Sequence, residues 1–358
     1  MHFGTQTYNQ LLFSVFLCFT LISFAFADTE KSLIDDIKPG SCGVCHVQQY
    51  TQWNDSYHAE ATSPGLLGQL PLLDEEEVRD CFSCHLPDTK QQNNYLENNS
   101  NAIHGVDCSY CHIRNEQRYG PREKQLTPHG EVKFDPLFKK SEFCKDCHQF
   151  GNEGILVNGK PLENTYVEWQ SSRYPAEGKS CQSCHMPSAD HDFKGIHNLN
   201  MVRSGLSLQA KFNDTELIIT LTNKGAGHAL PTYITPRIRV LWKGDNGIEK
   251  PIATIQRKMN WQAESGWTEV FDTRLMPDEK RKIVFNTESD NAGYIEVWVD
   301  PDADYSDRVY PAIIEALVES NGPDSPVNQI NQAQEIASTS NYLLYKLRCN
   351  AGKQGECY

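Results

Sequence analysis

Five copies of one short motif, Cys-x-x-Cys-His, constrain this chain more than any other feature. The copies span residues 42–46, 81–85, 108–112, 144–148 and 181–185. Two thiols three positions apart lie on one side of a helical turn, where both can form thioether bonds to the vinyl groups of one haem. The histidine that follows then points its imidazole at the iron as the proximal ligand. The motifs therefore predict five covalently bound haems c.

The motifs name the predicted attachment residues directly. The thioether cysteines are Cys42, Cys45, Cys81, Cys84, Cys108, Cys111, Cys144, Cys147, Cys181 and Cys184. The proximal ligands are His46, His85, His112, His148 and His185. Two other uses of cysteine pairs fit less well. Zinc sites combine such pairs two by two, and zinc gives no reason for a histidine after every pair. A redox-active Cys-x-x-Cys normally occurs once, in a βαβ context.

The first 27 residues predict a secretory signal peptide. Leu11 to Phe26 is an apolar run without charge, and Ala25-Phe26-Ala27 is a small-x-small cleavage site. The preceding segment lacks Lys and Arg, which is atypical, and a retained membrane anchor is the alternative. No later stretch is long and apolar enough to span a bilayer. We therefore expect an exported protein, periplasmic or at the cell surface or extracellular.

The net charge of -14 restricts the classes of partner that this protein can bind. An acidic protein does not bind nucleic acid through phosphates. Its electrostatically steered partners should present basic or neutral surfaces. We expect other redox proteins, such as cytochromes and quinol-linked or outer-membrane electron-transfer components, with self-assembly as a further possibility. The alternative is that the acidity serves only solubility.

Three cysteines lie outside the motifs. Cys18 leaves with the signal peptide, while Cys349 and Cys357 bracket a short Gly-containing tail. In an oxidising compartment such a pair predicts a disulfide. Two free thiols are the alternative.

Histidines outside the motifs are the candidates for the distal positions. Beyond the proximal five and His2, the chain has His58, His104, His129, His191, His197 and His228. Five of these six fall within the half that carries the motifs, where we expect them to bind iron. His228 lies apart from them. After cleavage only four methionines remain. Bis-histidine ligation is therefore predicted for the haems, with low reduction potentials and one histidine to spare.

Local geometry limits which haem each distal histidine can serve. Val47 to Ala61 predicts a helix, with Tyr50, Trp53 and Tyr57 at helical spacing. His58 then lies about 18 Å along that helix from His46, too far to bind the same iron. We expect His58, and also His104 just before the third motif, to serve neighbouring haems.

The chain predicts a mostly helical and irregular multihaem domain, followed by a β-sandwich and C-terminal helices. The predicted boundaries are 28–200 for the haem domain, 201–305 for an immunoglobulin-like sandwich and 306–358 for a helical tail. The gaps between motifs predict short helices and polar loops, such as Thr89 to Asn101. Strands are predicted at Leu206–Phe212, Glu216–Asn223, Arg237–Lys243, Ile252–Arg257, Lys282–Asn286 and Tyr294–Val299. Tail helices are predicted at Arg308–Ser320 and Gln329–Leu347.

The haem half resembles the multihaem cytochromes c related to the tetrahaem cytochrome of ammonia oxidisers. The resemblance is carried by His58-Ala59, by 104–108 (His-Gly-Val-Asp-Cys), by Tyr166 with Glu168-Trp169, by Met186-Pro187 and by 191–193 (His-Asp-Phe). The stretch 227–232 (Gly-His-Ala-Leu-Pro-Thr) is similar to the ligand-bearing loop of larger members. The resemblance implies stacked and perpendicular haem pairs, and axial roles for His58, His104, His129, His191 and His228. Five motifs and the extra His197 are departures from the pattern.

Two further expectations concern single histidines. The glycines beside His228 let its loop approach a porphyrin closely, so we predict that His228 ligates a haem of the first domain and ties the domains together. A surface-loop histidine is the alternative. His197 lies only six residues beyond His191 and is our candidate for the spare histidine.

Three functions are compatible with these features. Full bis-histidine coordination leaves no open iron and favours an electron carrier. One five-coordinate haem would instead allow an oxidoreductase acting on a small nitrogen or sulfur compound, with the spare histidine beside the iron. No motif ends in Lys, as it does in the nitrite reductases of this fold. A docking or polymerising role for the β-domain is compatible with the first function.

Overall fold

The structure is a computed structural model that describes residues 38–97, 103–123, 125–151, 156–213, 216–262, 266–287, 292–321, 323–350 and 357–358. The predicted signal peptide, residues 1–27, lies outside the described residues. Within the described ranges, no helix has both the length and the apolar character needed to cross a membrane.

Short helices make up most of the half that carries the motifs. They are α1 (Pro39–Gly43), α2 (Val47–Asn54), α3 (Pro64–Leu67), α4 (Glu75–His85), α5 (Thr89–Leu96), α6 (Cys108–His112), α7 (Glu142–His148), α8 (Thr165–Gln170) and α9 (Cys181–His185). Single 3-10 turns lie at Ala59–Thr62, Leu70–Leu72, Pro136–Lys139 and Pro187–Ala189.

The helix predicted from Val47 to Ala61 is divided, which corrects the prediction. Helix α2 ends at Asn54, and the chain turns at Ser56, whose hydroxyl donates to the Trp53 carbonyl at 2.7 Å. The Trp53 indole also donates to the carbonyl of Val106 at 2.8 Å. These contacts end the helix early, so His58 lies on a turn.

The polar segment from Thr89 to Asn101 begins as helix α5, where a loop was predicted. The Asp88 carboxylate caps this helix by accepting from the Gln91 amide at 3.0 Å. The ring of Tyr95 packs edge-on against Phe82, with 5.1 Å between ring centres. Capping and this one aromatic contact stabilise a helix whose sequence lacks an apolar stripe.

The largest apolar cluster of the haem half is small and local. Its buried members are Leu66, Leu70, Val78, Phe82 and Leu86. The residues packed around it all lie between positions 66 and 103. Side chains of this cluster therefore do not hold α6 to α9 together. A bulky group between those helices would fit this distribution of buried apolar side chains.

Two small sheets also occur in this half and were not predicted. Strands β1 (Ile113–Arg114), β2 (Gln117–Gly120), β3 (Gln125–Thr127) and β4 (Gly130–Phe134) form one sheet in the order β1-β2-β4-β3. Strands β5 (Leu156–Val157) and β6 (Lys160–Pro161) form a hairpin. Strands of two to five residues give little alternation to detect. The turn between β3 and β4 carries His129.

The second half contains helices and longer strands. In chain order they are α10 (Leu199–Gly205), β7 (Leu206–Asn213), β8 (Glu216–Asn223), β9 (Arg237–Gly244), β10 (Glu249–Ile255), β11 (Arg257–Gln262), β12 (Gly266–Asp272), β13 (Lys280–Asn286), β14 (Ala292–Asp300), α11 (Tyr310–Glu319), α12 (Asp324–Thr339) and β15 (Tyr342–Asn350). All six predicted strands are present, with the run Ile252–Arg257 divided between β10 and β11. The β11–β12 hairpin was not predicted.

Two antiparallel sheets pack face to face across one core. Their strand orders are β10-β9-β14-β15 and β13-β8-β7. Ile219 on β8, Val240 on β9 and Val297 on β14 are fully buried in the same cluster. Alternate residues along β8 point into this core, as a two-layer sandwich requires. The predicted fold class, with a helical and irregular half before a β-sandwich and helices, is confirmed.

The tail departs from the predicted helix after Thr339. Strand β15 occupies residues 342–350 and pairs antiparallel with β14. Leu344 on β15 has no exposed surface, and Cys349 lies beside Cys357 with 4.6 Å between Cα atoms, the separation of a disulfide pair. The prediction of a helix from Gln329 to Leu347 is therefore wrong beyond α12, because the open edge of β14 supplies hydrogen bonds that a helix would have made internally.

Candidate haem-binding site

Four of the five Cys-x-x-Cys-His motifs form or end a helix, whereas the first begins within α1 and continues beyond it. Local capping marks where α4, α6 and α9 begin. On α4, the Asp74 carboxylate accepts from the Glu77 amide at 2.9 Å. Before α6, the buried Asp107 carboxylate accepts from the Ser109 amide at 2.9 Å. At the start of α9, the Ser180 amide donates to the Ser183 hydroxyl at 3.1 Å. All ten motif cysteines lie outside disulfides, so their thiols remain available for thioether bonds.

Four proximal histidines each face one distal histidine from elsewhere in the chain. The pairs, with the distances between ring centres, are His46 and His129 at 6.2 Å, His148 and His58 at 6.2 Å, His112 and His191 at 6.3 Å, and His185 and His228 at 6.3 Å. The structure thus brings together eight of the ten predicted ligands. Each pair joins a motif to a histidine outside every motif.

The spacing of these pairs fits a shared metal ion. A metal–imidazole bond is about 2 Å long, and its nitrogen lies roughly 1.1 Å from the ring centre, so two imidazoles on opposite sides of one ion have centres about 6.2 Å apart. Rings in direct contact have closer centres, as in the stacked Tyr57 and His197 rings, whose centres are 4.2 Å apart. The four pairs therefore have the separation that a haem iron between them requires.

Hydrogen bonds at Nδ1 orient several of these imidazoles. In His112, His185 and His228 this atom bonds the carbonyl oxygens of Tyr119, Lys194 and Ala229, at 2.9, 2.7 and 2.9 Å. His191 and His85 make the same kind of bond to Ala189 and Ala61. A carbonyl acceptor requires Nδ1 to carry the proton, which leaves the Nε2 lone pair free for a metal.

Burial keeps two of the distal imidazoles neutral. It lowers the pKa of His58 to about 4, and the neighbouring His148 and His185 add to that effect. It also lowers the pKa of His228 to about 4. A neutral imidazole is the form that binds iron.

His85 and His104 differ from the four pairs. Among the described residues, His85 has no ring facing it at the spacing of the other pairs, although its Nδ1 bonds the Ala61 carbonyl at 3.0 Å. The Nε2 of His104 is buried, and no described group forms a hydrogen bond with it. Its backbone amide donates to the Gln91 side chain, which also bonds Asp107 at 3.1 Å. Burying a nitrogen without a partner costs free energy, so a bound group that is not part of the polypeptide would fit at this position.

His197, our candidate for the spare histidine, contacts a carboxylate and a tyrosine ring. Its Nε2 bonds the Asp302 carboxylate at 2.9 Å, and its ring stacks on Tyr57. This pair joins the haem half to the turn after β14.

The motifs also lie close to one another. Cysteine side chains of different motifs are neighbours at three places, namely Cys42 with Cys108, Cys84 with Cys147, and Cys144 with Cys181. These contacts place the first motif beside the third, the second beside the fourth, and the fourth beside the fifth. In the described part of the chain, no group of three or more Cys, His, Asp or Glu could hold a bare metal ion.

Sequence reasoning missed the groups that orient the imidazoles. Backbone carbonyls carry no side-chain signal, so the acceptors of Tyr119, Lys194 and Ala229 could not be predicted. Glu168, which accepts a hydrogen bond from the amide beside His228, was noticed only as part of the family resemblance.

Parts of the chain are similar to known proteins. Residues 41–113 match the family described as cytochrome c554 and c-prime. Cytochrome c-554 of Nitrosomonas europaea is 27% identical over 128 residues, which cover 30% of this chain and 54% of that protein. The match thus spans about half the length of that relative. The resemblance to the tetrahaem cytochromes is confirmed for this part of the chain.

A solved structure is similar over most of the chain. The crystal structure of a penta-heme cytochrome c552 from Thermochromatium tepidum aligns with a TM-score of 0.59 and 18% identity, over 87% of this chain and 98% of that one. At this identity the likeness concerns the fold. Together with the motifs, these comparisons support multihaem c-type cytochrome character and haem c as the cofactor.

Proposed function

We propose that this protein is a pentahaem cytochrome c that carries electrons in the cell envelope or at the cell surface. The four His–His pairs at 6.2–6.3 Å carry the proposal, because two imidazoles on one iron leave no position for a substrate. The haems supply the reversible one-electron chemistry. The chain's own residues attach them, bind their irons and hold them near one another.

Each histidine pair has a defined part in this proposal. The motif cysteines form the thioether bonds, and the motif histidines bind from the proximal side. His129, His191, His58 and His228 bind the irons of His46, His112, His148 and His185, in that order. We assign the remaining predicted ligand, His104, to the iron of His85, since its buried Nε2 otherwise has no partner among the described groups.

The haem count is tested by mass. The denatured protein should exceed its polypeptide mass by five haems, because thioether bonds survive denaturation. A smaller increment would show that at least one motif is not loaded.

The ligation is tested by electron paramagnetic resonance of the oxidised protein. If all five irons have two imidazoles, the spectrum should contain only low-spin signals. Nitrite, hydroxylamine and tetrathionate should be turned over slowly, because each would first have to displace a histidine. A high-spin signal together with fast turnover of any of these compounds would overturn the carrier function.

One observation favours a second candidate function. The described residues place no ring opposite His85 at the spacing of the other pairs, so an open sixth position at this haem would allow an oxidoreductase for a small nitrogen or sulfur compound. His104 would then lie near an open iron as a proton donor or acceptor. Azide or nitric oxide added to the oxidised or reduced protein distinguishes the two candidates. Rapid binding at one haem supports the enzyme, and no binding supports the carrier.

Location and partners follow from the leader and the charge. We propose export to the periplasm or the cell surface, and electron exchange with other redox proteins. If the net charge of -14 steers this exchange, its rate with a basic partner such as a cationic cytochrome c should fall as ionic strength rises. A rate that does not depend on salt would show that the acidity serves solubility alone.

A further inference from the structure

A buried ion pair joins the two halves of the molecule beside the His228 loop. Glu168 on α8 lies 3.2 Å from Arg274 in the segment between β12 and β13. Only 4% of the Glu168 side chain and 2% of the Arg274 side chain are exposed. Burying two charges costs free energy unless each is well satisfied, so a pair at this depth calls for a specific explanation.

The same carboxylate also holds the chain next to His228. Its second oxygen accepts the amide N–H of Ala229 at 3.0 Å. The carbonyl of Ala229 in turn accepts from His228 Nδ1 at 2.9 Å. Ala229 is fully buried, so one residue is fixed between the carboxylate and the imidazole. The orientation of the ring therefore depends on Glu168 through two successive hydrogen bonds.

Arg274 secures the far end of the loop. It donates to the carbonyl of Thr232 at 2.7 Å and lies 2.9 Å from Asp272. Because Glu168 holds Ala229 and Arg274 holds Thr232, the ion pair clamps the loop at two points beyond His228.

The near side of the loop is equally restricted. The Asn223 side chain donates to the His228 carbonyl at 2.9 Å. A Cβ atom added to Gly227 would lie 3.0 Å from Tyr174 and 3.1 Å from Trp169, too close for ordinary packing. Trp169 follows Glu168 on α8, so this helix contacts the loop from both sides of the histidine.

Other ion pairs between the halves lack these features. Arg173 contacts Asp278 at 3.0 Å, but their side chains are 40% and 51% exposed. Lys160 contacts Asp272 at 2.6 Å and is 36% exposed. In contrast to these surface pairs, Glu168 is buried and bonded to the residue after the histidine.

We propose that Glu168 is the positioning residue for His228, holding the imidazole where it meets the iron bound by His185. The inference rests on the proposed function, since it takes His228 as a ligand. Groups that orient a metal ligand from outside typically contribute about 10- to 100-fold to metal affinity or activity. The β-sandwich then does more than dock against the haem half, because through Arg274 it keeps the positioning carboxylate in place.

The test compares Glu168→Ala, Glu168→Gln and His228→Ala in the full haem-loaded protein. In Glu168→Ala the loop loses its anchor, so cyanide, which must displace His228, should bind one haem about 10- to 100-fold more tightly than in the parent protein. In a fraction of the molecules, this one haem should become high-spin. In Glu168→Gln the amide oxygen can still accept from Ala229, so ligation should be rescued. The potential of that one haem should nevertheless rise, since a nearby negative charge is lost.

Glu163→Gln is the matched control. Glu163 is also a buried carboxylate near this interface, with 8% of the whole residue exposed against 5% of the whole Glu168 residue. Its side chain accepts from Thr165 and makes no direct bond to the loop. This variant should keep the parent spin states and cyanide affinity. If Glu168→Ala fails to fold, Glu168→Asp tests the inference instead, because the shorter side chain keeps the charge but withdraws the acceptor from the Ala229 amide, so cyanide affinity at one haem should still rise.

The outcomes separate this inference from the proposed function. If His228→Ala leaves every haem low-spin, His228 is not a ligand and both proposals fail at this haem. If His228→Ala creates a high-spin haem while both Glu168 variants keep the parent cyanide affinity and potentials, the ligation stands and the positioning role is wrong.

Discussion

At the scale of single residues, His129 is the distal histidine most open to solvent. It lies on the turn between β3 and β4, and its Nδ1 bonds the Thr127 hydroxyl at 2.7 Å. We expect His129→Ala to turn the haem of His46 high-spin. Added imidazole should restore the low-spin spectrum, because the position is accessible to small molecules. Optical and paramagnetic resonance spectra with and without imidazole check this.

His197→Ala is the control for that experiment. Its imidazole already bonds Asp302 and stacks on Tyr57, so its removal should leave all spin states unchanged. The assignment of His129 is contradicted if its variant keeps a fully low-spin spectrum, or if the His197 variant loses it.

A second prediction at this scale concerns the buried Glu163. Burial raises its pKa to about 7, although Thr165 donates hydrogen bonds that oppose the shift. Glu168 adds to the rise and Arg274 opposes it. An acid whose pKa is raised on folding contributes stability below its unfolded pKa, near 4.5, and loses it as pH rises through the folded value. The loss should be about 3 kcal/mol, complete above pH 8.

Glu163→Gln removes this titration. The difference in unfolding free energy between the variant and the parent at pH 4 serves as the reference, because Glu163 is protonated there in both the folded and the unfolded parent. The variant should gain up to about 3 kcal/mol over the parent by pH 8. Urea unfolding at both pH values measures the difference. Glu131→Gln, at an exposed position, should follow the parent, and a Glu163 variant that also did so would refute the prediction.

At the scale of elements, β15 is the part that local pattern misassigned. Leu344 on this strand has no exposed surface, whereas Ile336 on α12 is 57% exposed. Leu344→Ala should lower the unfolding free energy by about 2–5 kcal/mol, because it leaves a cavity between the sheets. Ile336→Ala should change it by less than about 0.5 kcal/mol. Similar effects of the two substitutions would mean that β15 is not part of the sandwich core.

At the scale of the whole molecule, the contacts between motifs predict interacting haems. The cysteine contacts place the fourth motif beside both the second and the fifth. Two unit charges about 10 Å apart at an effective dielectric constant of 20 interact by about 2 kcal/mol. Each electron added should therefore make the next reduction harder. A spectroscopic redox titration should be much broader than a single one-electron step. A curve as steep as one such step would contradict close packing of the haems.

Local features of the sequence were enough to predict the attachment motifs and most long strands. The cysteines and histidine of one motif occupy a single helical turn, so their relation depends on spacing alone. Strand β8 was predicted with its observed bounds because its alternation reflects one buried face. Local pattern failed where a tertiary contact decides. Helix α2 ends early where Trp53 bonds Val106, and β15 forms because β14 offers it an edge.

The partner of each motif histidine is decided only by the tertiary structure. The sequence determined which residues are candidates to bind iron, since imidazole chemistry and motif spacing are local properties. It excluded His58 as partner of His46 only through a helix that the structure divides, and it could not select His148 for His58 or His129 for His46. Those pairs join distant segments, and their 6.2 Å spacing depends on how whole helices and turns pack. The same holds for Glu168, because its contact with Ala229 exists only once the two halves of the chain have come together.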